Sequence, residues 1–380
     1  MIFPLLPAFL AVLGAGPQIL GLIEGLGEAT AAAFKILSGR WTDRARRRKP
    51  LVLFGYGLAG CARPLIGLAT IWPTVLALRF LDRIGKGLRT SPRDALIADV
   101  SEPGARGAAF GLHRALDHTG AVLGPLAAAA LLGAGLGVRS VMLLAAVPAA
   151  LVLFLLAAGV RERPRAPTPP PPGARPTDES RPPGRTSWQA PPPPFPASLG
   201  GLGAPFRRLL LALFLFTLAR STDAFLILRL HEAGVALRDV TLLWALLSLV
   251  RAASTAWGGA LTDRFGARAM LSCGWVWFAA VYAGLALVSG TAGLIALFFA
   301  FGLHSGFVEP AERAWVAALA PERMRGFAYG LFHAAVGLGA LPGGLLFGAI
   351  WALAGAPAAF LAAAGLACAA LLFLRRVPQL

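Results

Sequence analysis

The chain has 380 residues, 57% of them hydrophobic and only 14% charged, against about 25% charged in a soluble domain. Its 35 Lys+Arg and 18 Asp+Glu give a net charge of +17, but the basic excess sits in short loops between apolar runs of about 20 residues, the pattern of a membrane protein rather than of a nucleic-acid binder. A soluble globular domain is excluded, and so is an outer-membrane barrel, because strand-like alternation is missing.

Twelve apolar segments follow one another at 1–14, 17–38, 51–72, 73–99, 107–133, 139–160, 207–231, 237–260, 269–290, 291–318, 326–350 and 354–375. In lipid each must satisfy its own backbone hydrogen bonds, so each is expected to be a helix. The first run, Ile2 to Leu13, lacks the basic flank of a cleavable signal peptide. Residues 161–206 are rich in Pro, Gly and Arg and are expected to form a disordered linker between two six-helix halves, 1–160 and 207–380. Cys61, Cys273 and Cys368 stand alone in apolar surroundings. They read as packing residues, with no metal-ligand spacing.

Loop charge sets the orientation. Arg40, Arg44, Arg46, Arg47, Arg48 and Lys49 fall between segments 2 and 3, Arg161, Arg163, Arg165, Arg175, Arg181 and Arg185 fall in the linker, Arg264 and Arg268 follow segment 8, and Arg323 and Arg325 follow segment 10. Intervening loops carry little. Both termini and the linker are therefore expected on the cytoplasmic side.

The halves repeat. Gly39-x-x-Thr42-Asp43-Arg44 matches Gly259-x-x-Thr262-Asp263-Arg264 at a shift of 220, Arg106-Gly107-x-x-x-Gly111-Leu112 matches Arg325-Gly326-x-x-x-Gly330-Leu331 at 219, and Pro92-x-Asp94 resembles Pro310-x-Glu312 at 218. Parallel repeats of six helices are a transporter architecture. The same shift places the counterpart of segment 7 about a dozen residues before Met1, so the first helix is expected to be truncated, or else short and tilted in a thinned bilayer.

The loop Gly39-Arg40-Trp41-Thr42-Asp43-Arg44-Ala45-Arg46-Arg47-Arg48, echoed at Gly259 to Arg268, resembles the signature loop of the major facilitator superfamily, with Ala45 where a glycine is usual. The resemblance covers essentially the whole chain. It implies an all-α membrane protein of twelve transmembrane helices in two six-helix pseudo-repeats. It also implies that Asp43 and Asp263 cap helix ends and take part in a latch that holds one of two conformations. Physics agrees, since an anion is favoured at a helix N-terminus and a contact made in one state biases the equilibrium.

Charged residues inside apolar segments cost at least ~2.5 kcal/mol each by insertion scales and so must face protein or a wet cavity. In segment 4, Arg79, Asp82, Arg83, Lys86, Arg89 and Arg93 share one helical face. Asp82, Arg83 and Lys86 are candidate substrate or coupling residues in a basic cavity wall, while Arg89, Arg93 and Asp94 lie toward the gate. Arg114 and Asp117 in segment 5 can pair at i, i+3, or Asp117 can reach Lys86 or Arg83, with His113 and His118 nearby as titrating groups. Arg220 and Asp223 in segment 7 can pair with each other, or Asp223 with Arg251 of segment 8. Glu312 and Arg313 repeat the segment 4 gate, joining Gly39, Asp43, Arg44, Gly259, Asp263 and Arg264. Glu24 and Glu28 can face the cavity or pair with Arg63. The glycines of segments 5 and 11 permit close helix approach, and Pro125 and Pro342 can kink these helices.

Enzyme signatures are missing. No GxxxxGK[ST] loop, HExxH or paired-Cys site occurs, and Gly85-x-Gly87 lies inside a charged membrane segment. The expectation is a proton-coupled exporter of a small anionic or amphoteric solute in the bacterial cytoplasmic membrane. It is expected to act as a monomer, without cofactor, metal or nucleic-acid partner. The alternatives are a non-transporting sensor or assembly factor on the same scaffold, and an intramembrane enzyme using Ser221 or Ser305 beside His304.

Overall fold

An apolar run cannot leave its amides bare in hydrocarbon, and the chain meets that demand with helices alone. The computed structural model describes residues 6–15, 17–162, 199–220, 223–235 and 237–377, with no strand among them. The helices are α1 (Leu6–Val12), α2 (Pro17–Arg44), α3 (Lys49–Leu65), α4 (Trp72–Val100), α5 (Arg106–Gly133), α6 (Val138–Leu144), α7 (Ala146–Gly159), α8 (Gly203–Ala219), α9 (Asp223–Glu232), α10 (Leu237–Phe265), α11 (Ala267–Leu287), α12 (Thr291–Leu319) and α13 (Arg325–Leu374). Expected segments map onto them in order, with α6–α7 and α8–α9 each serving as one segment and α13 as two.

Helix boundaries follow local chemistry. Pro50 and Pro73 sit in the first turns of α3 and α4, where a missing N–H is harmless. Gly266, at φ 85, is the single residue between α10 and α11, a backbone state that side chains resist. Gly355, at φ 83, separates the two parts of α13.

Two expectations are corrected. Segment 7 is not continuous: Arg220 leaves the helical region at φ −78, ψ 100, ending α8. Asp223 then opens α9 in a first turn that favours an acid. The three cysteines are exposed on the helix surfaces, where they contribute nothing to the core. The linker expectation falls mostly on 163–198, outside the described residues. Its flanks are ordered: 199–202 form a 3-10 turn, α8 begins at Gly203, and Glu162 is bonded. The expectation about the start of the chain involves residues 1–5, also outside them.

Six described stretches are long and apolar enough to cross a membrane: Lys49–Leu68, Pro103–Gly133, Val138–Gly159, Ala267–Leu287, Thr291–Leu319 and Glu322–Leu374. α2, α4 and α10 match them in length at 28, 29 and 29 residues but carry charge. Within the first half α4 packs on α2 and α3, and within the second α12 packs on α10 and α11. The halves meet mainly through two helix pairs, α2 with α13 and α5 with α10, with smaller contacts of α5 on α12 and of α4 on α13.

The second half is the more densely filled. Phe216 of α8 stacks on Trp275 at 4.4 Å, and Phe278, Tyr282, Phe301 and His304 close around them. His304 donates from Nδ1 to the Gly274 carbonyl at 3.0 Å, so it belongs to this core. The first half offers a smaller cluster around Leu6, Phe9, Leu10, Ile66 and Met142.

Candidate functional site

Two aspartates join the halves. Asp43, in the last turn of α2, accepts the backbone N–H groups of Gly326 at 2.8 Å and Phe327 at 2.7 Å, the first turn of α13. Asp263, in the last turn of α10, accepts those of Gly107 at 2.6 Å and Ala108 at 2.7 Å, the first turn of α5. Helix first turns expose N–H groups without intrahelical partners and carry positive dipole ends. Each half thus caps a helix of the other, and the two caps are related by the sequence repeat.

Glycines make this reach possible. A methyl group on Gly39 would overlap the Gly326 carbonyl, and one on Gly326 would strike Gly39 and Asp43. Gly107 and Gly259 exclude each other's side chains in the same way, and Gly111 lies against the Thr255 carbonyl. Away from this end the helices part. The buried residues of α5 are Arg106, Gly107, Phe110, Gly111 and Ala115 and then only Ala128, while the first part of α13 is buried almost continuously from Arg325 to Gly330 and sparsely between Ala334 and Gly355. The halves are closed at the end carrying the basic loops and diverge beyond it.

Behind the caps lies a layer of ion pairs between halves. Arg48, wholly buried, pairs with Asp99 at 2.8 Å, and Arg325 of α13 reaches the same carboxylate at 2.7 Å. Asp94, also wholly buried, accepts from His333 Nε2 at 2.8 Å and from Arg93, with Arg313 at 3.8 Å. Arg114 of α5 bonds Glu309 of α12, and His118 Nε2 lies 3.4 Å from the same carboxylate. Arg313 donates to the Glu309 carbonyl at 2.7 Å. Of the expected gate residues, Asp43, Asp263, Gly39, Gly259, Arg93, Asp94 and Arg313 therefore lie at the closed end in contact across or beside it. Glu312 lies among them with no ion pair to a described residue. Arg44 and Arg264 are exposed outside the network, and Arg264 covers the ring of Phe265 at 5.2 Å.

The charged face of α4 divides between two neighbours. Asp82 is held by Arg63 of α3 at 2.7 Å and by Arg79 at 3.1 Å. Arg83 and Lys86 turn the other way, to Glu28 of α2 at 2.9 and 3.0 Å. Arg89, expected at the gate, stacks over Tyr56 of α3 at 4.1 Å. Of the two alternatives for Glu28, the pair with Arg63 is not formed, and Glu24 is outside the described side chains. Asp117 joins Arg114 at 2.9 Å rather than Lys86 or Arg83. A cavity of about 750 Å³ lies within the first half, lined by Tyr56 and Arg63 of α3, Arg79, Arg83 and Arg89 of α4, Gly120 and Leu123 of α5 and Ala149 and Val152 of α7. The repeat aligns Tyr56 with Trp275, whose neighbourhood in the second half is filled by Phe216.

In the second half Arg251 donates to Asp223 at 2.9 Å, and the Arg220–Asp223 alternative is not formed. Arg251 also lies over Trp244 and Phe301 at 5.5 and 5.4 Å. Sequence reasoning missed His333. A signal was available, since the 219-residue shift aligns His333 with Arg114 and so predicts a cation there. It also left Arg48 and Lys49 as loop charges. Arg48 and Lys49 donate backbone N–H groups to Glu162 at 2.7 and 2.8 Å, while Lys49 Nζ reaches the Ala157 and Val160 carbonyls. No group of His, Cys, Asp and Glu among the described residues could hold a metal ion.

Two bundles of membrane-spanning helices, each capping a helix of the other at one end and parting at the other, define a transporter built from parallel repeats. The sequence profile of the major facilitator superfamily matches residues 1–229 and 209–380. The chain belongs to that superfamily. An uncharacterized MFS-type transporter of Methanocaldococcus jannaschii is 30% identical over 358 residues, covering 92% of this chain and 84% of that one. Among solved structures, the human organic anion transporter MFSD10 superposes with a TM-score of 0.71 at 19% identity, over 97% of this chain and 88% of that one. The E. coli fucose:proton symporter superposes with a TM-score of 0.74 at 15% identity, over 99% and 94%. The protein is a multi-pass membrane transporter.

Proposed function

We propose that the protein is a secondary active transporter that exports a small anionic or amphoteric solute across the bacterial cytoplasmic membrane, coupled to protons. The observation that carries alternating access is the pair of repeat-related caps, Asp43 on α13 and Asp263 on α5. Contacts made across halves at one end only are those a rocking motion would break, exposing the opposite side in turn. The units that rock are residues 1–160 and 207–380, joined by a cytoplasmic linker at 161–206. With the basic loops and both termini cytoplasmic, the conformation described is open to the outside.

The solute's charge class is read from the interior. Among the described residues, four arginines and no carboxylate line the cavity beside α4. Arg83 and Lys86 both reach Glu28 from that helix. Coupling is read from the buried carboxylates that bridge the halves, Asp94 with His333 and Glu309 with Arg114 and His118.

The test is a thermal-shift screen of purified protein against anionic, zwitterionic and cationic metabolites at two pH values, followed by uptake into proteoliposomes with an imposed pH gradient. A native-state ligand raises the melting temperature by mass action. Anions or zwitterions are expected to stabilise the wild type and not Arg83→Ala. Stabilisation by cations alone would overturn the charge class. Ligand binding without gradient-driven uptake would favour a sensor or assembly factor.

A further inference from the structure

Glu312 of α12 is only 8% exposed, and it forms no hydrogen bond or ion pair with any described residue. Its repeat partner is Asp94, which has Arg93, His333 and Arg313 around it. The same repeat aligns His333 with Arg114. Two-fold symmetry would therefore bring Arg114 to Glu312, as His333 comes to Asp94. Arg114 instead bonds Glu309, one helical turn earlier.

The charged groups around Glu312 are Arg313 and Glu309 on its own helix, Arg220 at the end of α8 and Arg114 on α5. None makes a bond to it. Arg313 is directed to the Glu309 carbonyl and toward Asp94. A buried carboxylate left ionised without a bonded cation is strongly disfavoured.

We propose that Glu312 is the carboxyl group that carries the coupled proton. It is protonated while the halves are latched. When the latched end opens, Arg114 moves from Glu309 to Glu312, the Glu312 O–H bond breaks, and the proton passes to water on the side then exposed. This rests on the proton-coupled reading above and assigns that coupling to one residue.

The experiment uses the full chain in lipid nanodiscs, with Cys61, Cys273 and Cys368 replaced by alanine and spin labels on Arg44→Cys and Arg264→Cys, both exposed at the closed end. Wild-type label distances are expected to change with pH. Glu312→Gln, which mimics the protonated group, is expected to hold the short latched distance at every pH, and Glu312→Asp to restore the response. In parallel, the infrared band of a protonated carboxyl is expected in the wild type, Glu309→Gln and Asp94→Asn, and lost in Glu312→Gln. If Glu312→Gln responds to pH like the wild type, or the band survives in it, the assignment is overturned while proton coupling stands. A wild type whose distances ignore pH overturns proton coupling and the assignment together. Should Glu312→Gln not fold, dicyclohexylcarbodiimide labelling of the wild type decides by mass spectrometry. An adduct on Glu312 supports the assignment and an unmodified Glu312 defeats it.

Discussion

A single carboxylate does unusual work where its acceptors face backbone amides. Asp43 and Asp263 each bind two N–H groups that have no partner within their own helices. Asp43→Ala would leave both donors of α13 unsatisfied, at roughly 1–3 kcal/mol for each group. The expected result is loss of the latched conformation. With the native cysteines replaced, a Thr42→Cys probe, at a position that is fully buried, should change from inert to reactive toward a maleimide when Asp43→Ala is added. An unreactive probe would show that the caps do not hold the state. These aspartates were legible because each sits in a repeated loop. His333 and Arg48 were not, because their partners lie 239 and 51 residues away in sequence, on helices whose rotation no periodicity reports. In sequence Arg48 is one of the basic residues between segments 2 and 3, and its burial beside Asp99 is a tertiary fact.

At the scale of helices, glycine placement separates contact from slack. Gly85 lies against α3 and Gly87 against α2, which gives the Gly85-x-Gly87 pair a packing role. Gly107 has the Gly259 carbonyl, Asp263 and Thr262 against it, whereas Gly133 has nothing within 4 Å. Gly107→Val should therefore prevent α5 from docking on α10 and abolish transport, while Gly133→Ala should leave transport and melting temperature unchanged. Equal effects would refute the contact-based account. Glu162 supplies a second case. Its carboxylate accepts the N–H groups of Arg48 and Lys49 at the start of α3, the service an N-cap side chain performs, typically worth about 1 kcal/mol. Glu162→Ala should lower the melting temperature by a few degrees without altering the ligand profile. Composition had assigned Glu162 to the linker, since a Pro- and Arg-rich neighbourhood gives no sign that one acid turns back. Segment lengths, by contrast, were legible throughout, because an apolar run of membrane-spanning length leaves the backbone one solution. The break at Arg220 was hidden by the apolar residues on both sides of it.

Across the whole molecule, symmetry and its violations divide the labour. The caps obey the repeat, and so do the glycines beneath them. The ion pairs do not: Asp99 aligns with Ala318, so the Arg48–Asp99–Arg325 bridge has no counterpart. The interiors differ too, with aromatic rings filling one half and arginines lining a cavity in the other. A repeat visible in sequence predicted the first set. The second could not be read from it, because each departure requires knowing which side chain fills the space its counterpart leaves.

The paired caps carry an implication for descent. Every half contains both a donor helix and an acceptor aspartate, so two copies of one half could close the same two contacts about a dyad, each residue meeting its complement in the twin. Such an isologous dimer satisfies itself without any tether. The present interface is thus what a duplicated and fused ancestor would bequeath. The loss of equivalence between Asp94 and Glu312 would then be a later specialisation, open to the protein only after fusion allowed its halves to differ.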